Sequence, residues 1–218
     1  APPPHAILLT HHHNDHIGGV PDLLRHWPGV PVIAPQDERI TSATRRVVDG
    51  DVIEAGPWRF TTIEIPGHTC SHVAFHGHDV DGDGLLFCGD TLFSMGCGRM
   101  FEGTPAQMHA SLQRLAALPG ETRVCCGHEY TLANAAFATT VDPGNAALRE
   151  RAAEVRRLRA TDQPSLPSTL HDERACNPFL RCEDPAVRAS VAAHAGHPLA
   201  SPVDVFAHLR NWKDGFRG

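Results

Sequence analysis

The sequence predicts an α+β chain in two parts, a strand-rich metal-binding part over residues 1–130 and an α-helical part over residues 131–218. Three observations predict it. The apolar run Ile7-Leu8-Leu9 stops at a crowd of potential ligands, Thr10-His11-His12-His13-Asn14-Asp15-His16. Three further β-rich runs each end in Gly and then a ligand type: residues 60–65 before Pro66-Gly67-His68, residues 85–88 before Gly89-Asp90, and residues 122–126 before Gly127-His128. After Tyr130 strand signals cease and helix-capping signals take over.

In chain order, residues 5–10 read as a short buried strand, Gly18-Gly19-Val20-Pro21 opens a helix to about residue 26, and residues 30–34 read as another strand. If the four ligand-bearing strands share one sheet, each hands its ligand past the same edge, and Gly permits the sharp turn that aims it. Thr104-Pro105-Ala106-Gln107 is a capping box before a helix with Met108, Leu112, Leu115 and Leu118 on one face, stopped by Pro119-Gly120. That helix should cover the sheet. Asp142-Pro143 opens a long helix to about residue 160, Asp184-Pro185 another, and Ser201-Pro202-Val203-Asp204 the last. On the last helix Phe206, Leu209 and Trp212 form an apolar stripe, while Arg210 and Lys213 share a neighbouring face. Two like charges at that spacing repel slightly, so an anion between them would help; complementing the helix dipole is the simpler alternative.

The ligand pattern is informative only beyond its commonest part. With 16 His in 218 residues, about one His-x-His pair is expected by chance, and His76-x-His78 fits that accident. Adding Asp-His, to give His11-x-His13-x-Asp15-His16, lowers the chance expectation to about one in a hundred or less. The constellation expected is His11, His13 and His68 for one ion, Asp15, His16 and His128 for a second, and Asp90 between them. Five imidazoles and two carboxylates, with no Cys, suit zinc, with iron or manganese as alternatives, and not a thiolate-rich structural zinc site. The other His are expected at the surface or in the core, with His12 pointing away from the ligands.

Composition narrows the class. A net charge of -6 argues against a nucleic-acid partner, and no apolar run reaches the length of a membrane span. Seven Cys without a framework spacing favour a reducing, cytoplasmic setting. Asp79-x-Asp81-x-Asp83-Gly84 imitates the start of a calcium loop but reads better as a hairpin turn. The opening Ala1-Pro2-Pro3-Pro4 looks like the middle of a linker, so a fragment is expected.

These residues carry a family resemblance. The ligand pattern with Gly67-His68, Gly89-Asp90-Thr91 and Gly127-His128 resembles the metallo-β-lactamase superfamily, an αββα sandwich with a dinuclear metal site at one edge. Asp90-Thr91-Leu92-Phe93, the run from Gly96 to Thr104, Gly127-His128-Glu129-Tyr130-Thr131, Asn177-Pro178-Phe179-Leu180-Arg181 and Arg210-x-x-Lys213-Asp214 are similar to the glyoxalase II, or hydroxyacylglutathione hydrolase, branch, most like its bacterial members. Against that family the first strands of the sandwich are missing, and Arg99 and Phe101 stand where Lys and Tyr are often found.

The resemblance implies hydrolysis of an S-(2-hydroxyacyl)glutathione thioester, such as S-D-lactoylglutathione, by a hydroxide bridging two divalent ions. Glutathione and D-lactate would be the products, as in methylglyoxal disposal. Asp15 and Asp90 would take catalytic as well as ligand roles, and Arg99, Phe101, Tyr130, Arg210 and Lys213 would bind the substrate; a monomer is expected. Another hydrolase of the fold, such as a lactonase, or a non-catalytic metal-binding fragment, are the alternatives.

Overall fold

The computed structural model describes residues 2–78 and 84–217, so the calcium-loop imitation at residues 79–83 lies outside the described residues. In chain order the elements are β1 (Ile7–Leu8), α1 (Asn14–Ile17), α2 (Val20–His26), β2 (Val32–Pro35), β3 (Arg45–Val47), β4 (Val52–Ala55), β5 (Trp58–Glu64), β6 (Val73–His78), β7 (Gly84–Gly89), β8 (Leu92–Phe93) and β9 (Gly96–Cys97). There follow α3 (Pro105–Ala116), β10 (Arg123–Cys126), α4 (Thr131–Val141), α5 (Ala146–Arg159), β11 (Ser168–Thr169), α6 (Leu170–Cys176), α7 (Pro185–Ala195) and α8 (Pro202–Gly215).

The strands form two main sheets. One is parallel with order β1-β2-β3, and the other has order β11-β10-β7-β6-β5-β4. The expectation of a single ligand-bearing sheet is therefore corrected: β1 belongs to the first sheet, and β5, β7 and β10 to the second. Convergence survives because of strand direction. β5 and β7 each pair antiparallel with β6, and β10 runs parallel to β7, so all three end at the same edge of the sheet. The end of β1 is brought to that edge by a main-chain bond across the sheets, Val73 N–H to Thr10 O at 3.0 Å.

Side-chain alternation along the strands builds the layers. In β2, Val32 and Ala34 pack with Leu9, Val20 and Ile40 on the α2 side, while Ile33 between them joins Val47, Ile53, Phe60, Val73 and Phe75 in the layer between the sheets. On the far face of the second sheet, Ile65, Ala74, Leu86, Cys88 and Val124 pack against Met108, Leu112 and Leu115 of α3. The result is helix, sheet, sheet, helix. The capping box of α3 forms as expected, with Thr104 and Gln107 satisfying one another's backbone donors. The same core continues into Phe137 and Val141 of α4, Val187 and Val191 of α7, and Val205, Phe206 and Leu209 of α8.

Three expectations for the second part need correction. The helix expected from Asp142 begins at Ala146 with Asn145 as its cap, the Asn145 side chain accepting from Leu148 N–H at 3.1 Å. Asp142 is instead occupied by the Asn145 and Arg181 side chains. The unexpected α4 starts at Thr131 after Tyr130, whose side chain makes no cap, and has no charge in its first or last turn, so the usual punctuation is missing. A strand does follow Tyr130: β11 pairs antiparallel with β10, but two residues carry no readable alternation.

Candidate metal centre

At the convergent edge the seven side chains expected as ligands come together. His11 Nε2 and His68 Nε2 face His13 Nδ1 at 3.1 and 2.9 Å. Asp15 Oδ2 lies 3.1 Å from His128 Nε2 and 3.5 Å from His16 Nε2. Asp90 stands between the groups, with Oδ2 3.6 Å from His68 Nε2 and 3.4 Å from His128 Nε2, and Oδ1 3.3 Å from His16 Nε2. Donor atoms of His11, His13 and His68, of His11, His16 and Asp90, and of Asp15, His16 and His128 each fall within 4.8 Å of one another.

The donor chemistry fits divalent cations. Burial, reinforced for His11 by neighbouring imidazoles, pushes the pKa of His11, His13 and His68 below the ordinary histidine value, so these rings are neutral and carry lone pairs. His68 Nδ1 lies 2.8 Å from the Arg99 carbonyl, which can only accept, so the proton sits on Nδ1 and Nε2 is bare. His16 Nε2 and Asp90 Oδ1 are buried, face each other at 3.3 Å without good hydrogen-bond geometry, and have no hydrogen bond to any other group among the described residues. Buried polar atoms left that way call for an external partner, and a cation satisfies both.

Close packing at the turns makes this geometry possible. Gly89 has φ +48, and a side chain there would strike Thr10 Oγ1 and His72. A side chain at Gly127 would meet Asp90 Oδ1 at 2.4 Å. His72 is a positioning residue that the sequence did not distinguish from other core histidines. It stacks on His11 with centroids 4.5 Å apart, donates from Nδ1 to Val73 O, and accepts the Asp90 backbone N–H at Nε2 at 3.2 Å. Burial lowers its pKa to about 3, which keeps Nε2 an acceptor.

His12 turns away from the ligands toward Asp37, 3.3 Å from Nδ1, and Glu102, 3.7 Å from Nε2. The Arg39 guanidinium holds the Asp37 carboxyl well below the usual carboxylate range. His76 and His78 stand on β6, outside the three donor groups.

Beside the centre opens a cavity of about 490 Å³ lined in part by His68, Asp90, Arg99, Tyr130, Arg210 and Lys213. Phe101 rises beside His13 and His68, with centroids 5.4 and 5.3 Å away, and Tyr130 stacks on His128 at 5.2 Å. Arg210 is only 5% exposed; it donates to Cys97 O at 2.7 Å and Asp214 Oδ1 at 3.1 Å, leaving Nε unpartnered. The same Asp214 oxygen lies 3.2 Å from Arg99 Nε, so the chain supplies its own anion among these cations. Lys213 donates to Ala133 O at 3.0 Å and lies over the Phe137 and Phe216 rings. Burial, then repulsion by Arg210, lowers its pKa to about 8.

A family model described as the metallo-beta-lactamase superfamily matches residues 1–128, and one described as the hydroxyacylglutathione hydrolase C-terminus matches residues 129–216. The chain is 60% identical over 214 residues to the hydroxyacylglutathione hydrolase of Xanthomonas campestris pv. campestris, covering 98% of this chain and 82% of that protein. To that of Xylella fastidiosa it is 56% identical over 213 residues, covering 98% and 81%. Among solved structures it is similar to ETHE1 from Myxococcus xanthus, with TM-score 0.58, 24% identity, and coverage of 94% of this chain and 68% of that one, a likeness of fold. It is also similar to TTHA1623, solved in a di-iron-bound form, with TM-score 0.53, 28% identity, and coverage of 81% and 77%.

Proposed function

The chain belongs to the hydroxyacylglutathione hydrolase family of the metallo-β-lactamase superfamily, and from that premise we propose how its own residues divide the work of hydrolysing a hydroxyacylglutathione thioester. The observation that carries the reading is the convergence of two donor groups on either side of Asp90, next to a cavity lined by Arg99, Arg210 and Lys213.

His11, His13 and His68 would hold one divalent ion and Asp15, His16 and His128 the other, with Asp90 within reach of both groups. When bound, such ions polarise a carbonyl and bring the pKa of water from 15.7 to about 7. Zinc is the proposed pair, on the borderline imidazole-carboxylate set, with iron or manganese as alternatives. Asp15, 59% exposed at its side chain, accepts a hydrogen bond from the attacking water and orients it. Phe101 on one side and Tyr130 on the other flank the acyl group, which limits bulk water at the thioester. A thiol of ordinary pKa about 8.5 leaves as thiolate, so no protein acid is required.

The glutathione carboxylates are taken by Lys213 and Arg99 and by the field of the braced Arg210. Phe101 gives the peptide an apolar edge in place of the hydroxyl that a Tyr would offer. We assign the metal chemistry to residues 1–130 and glutathione recognition to residues 131–218, with Arg99 and Phe101 contributed across that line. We propose a cytoplasmic monomer as the working form, the seven unpaired Cys suiting a reducing compartment; among the described residues no helix is long and apolar enough to cross a membrane.

The test is hydrolysis of S-D-lactoylglutathione by the purified chain, with metal content measured on the same sample. Turnover at about two ions per chain is expected. Turnover that persists after the ions are stripped would overturn the division of labour.

A further inference from the structure

Glu102 stands outside both the ligand set and the substrate contacts, yet it touches the chain beside each of them. Its Oε2 accepts the Cys70 backbone N–H at 2.7 Å, two residues beyond His68. Its Oε1 accepts from Arg39 at 2.6 Å and lies 3.7 Å from His12, the residue between His11 and His13. Arg39 in turn donates to both oxygens of Asp37 at 2.8 Å, and Asp37 Oδ2 also accepts from Ser71 at 2.5 Å and faces His12 at 3.3 Å. Asp37 is buried and its own carbonyl is gripped by Arg46 of β3, so this cluster is anchored in the first sheet.

The segment bearing Glu102 is the one bearing Arg99 and Phe101. It is stitched to the His68 turn by Phe101 N–H to His68 O and Gly103 N–H to Gly67 O, each 3.1 Å, and by His68 Nδ1–H to Arg99 O. The backbone bonds hold the seam itself, and across to the His-rich loop on the other sheet the Phe101 ring meets His13 while the Glu102 carboxylate reaches His12 and, through Arg39, Asp37. The Glu102 side chain is 25% exposed and Asp37's is 4% exposed, so the contacts are shielded enough from water to set geometry.

We infer that Glu102, with Asp37 and Arg39 behind it, is a positioning residue that couples the first metal-binding group to the substrate-binding segment. With Asp37 it faces the His12 ring, at 3.7 and 3.3 Å, and so limits where the loop bearing His11 and His13 can sit, and through its own backbone segment it sets the reach of Arg99 and Phe101. The inference rests on the proposed ligand and substrate assignments. It commits to one carboxylate serving both functions, which a residue holding the fold alone does not do.

The test compares Glu102→Gln, Asp37→Asn, Arg99→Ala and His68→Ala in the metal-loaded protein, reading metal retention against a competing chelator, kcat and KM for S-D-lactoylglutathione, and melting temperature. Glu102→Gln should weaken metal retention about 10-fold to 100-fold, the range seen when a partner of a metal ligand is lost, and should raise KM as well. Asp37→Asn should move the same two readouts in the same direction, and Arg99→Ala should raise KM while leaving retention unchanged. Retention and KM both within about twofold of the parent in Glu102→Gln, whatever its melting temperature, would overturn the coupling. If His68→Ala also keeps both ions, the ligand assignment has failed; if His68→Ala loses an ion while Glu102→Gln does not, the coupling alone has failed.

Discussion

The two donor groups are built to different standards. His11 and His68 are buried, and each has its second nitrogen or its ring face held, by Thr10 and His72 in one case and by the Arg99 carbonyl in the other. In the second group the Asp15 side chain is 59% exposed and that of His128 28% exposed, and the His128 ring is held by ring contacts with Tyr130, His16 and Phe93. Outer hydrogen bonds fix the tautomer and aim of a ligand, so the first group is held more firmly before an ion arrives than the second, whose donor atoms also lie together but on more exposed side chains. Pre-organisation lowers the cost of binding. The first group should therefore hold its ion more tightly, and the second should be the one that exchanges.

The largest test of that contrast removes what the groups share. Asp90→Ala should empty both and cut turnover by more than about 10³-fold, since several kcal/mol of charge stabilisation depend on the ions. Elemental analysis showing two ions retained would place Asp90 outside the pair. A smaller effect separates the groups. Titrating the loaded protein with a chelator should remove one ion at a concentration at least about tenfold below the other, if the missing outer contacts are worth their usual range. His128→Ala should abolish the early step and His68→Ala the late one; two ions leaving together would break the comparison.

The smallest effect lies in the cavity. Lys213 loses its proton near pH 8 because burial penalises the ammonium, so it is charged below that value and neutral above it. KM should accordingly rise as pH passes through about 8, while kcat shows no matching step. Lys213→Arg, which stays charged, should flatten that rise, and Lys213→Ala should raise KM about tenfold at pH 7, as for a lost charge-assisted bond. A rise in KM that persists unchanged in Lys213→Arg would assign the titration to another group.

What the sequence made legible was the part in which local chemistry and tertiary placement coincide. His68, Asp90 and His128 could be found because each follows a β-rich run and a Gly, and because β5, β7 and β10 run the same way. The helix that begins after Thr104 announced itself through a side chain that caps it. Where a residue matters through distant partners, the sequence is silent. His72 looks like any apolar-strand His until Asp90 and His11 are seen against it, and Glu102 lies 63 positions from Arg39. The helix after Tyr130 was hidden for a related reason: its Ala-rich, uncharged run is stabilised by burial on several sides and carries no cap to read. Arg210 and Lys213 were legible as a cation pair, but not that Asp214 would already sit against one of them.

The unbroken apolar core that runs from Ala74 and Leu86 through Leu112 to Phe137, Val187 and Phe206 has a consequence for how this protein can be taken apart. Its helical part is no detachable cap. Asn177 donates to the carbonyls of Phe93 and Gly96, and so steadies from α6 the very hairpin that connects Asp90 to Arg99. Heat should melt sandwich and helices in a single cooperative transition, and a graft of the helical part onto another sandwich of the same fold would inherit neither the hairpin's anchor nor the shared interior.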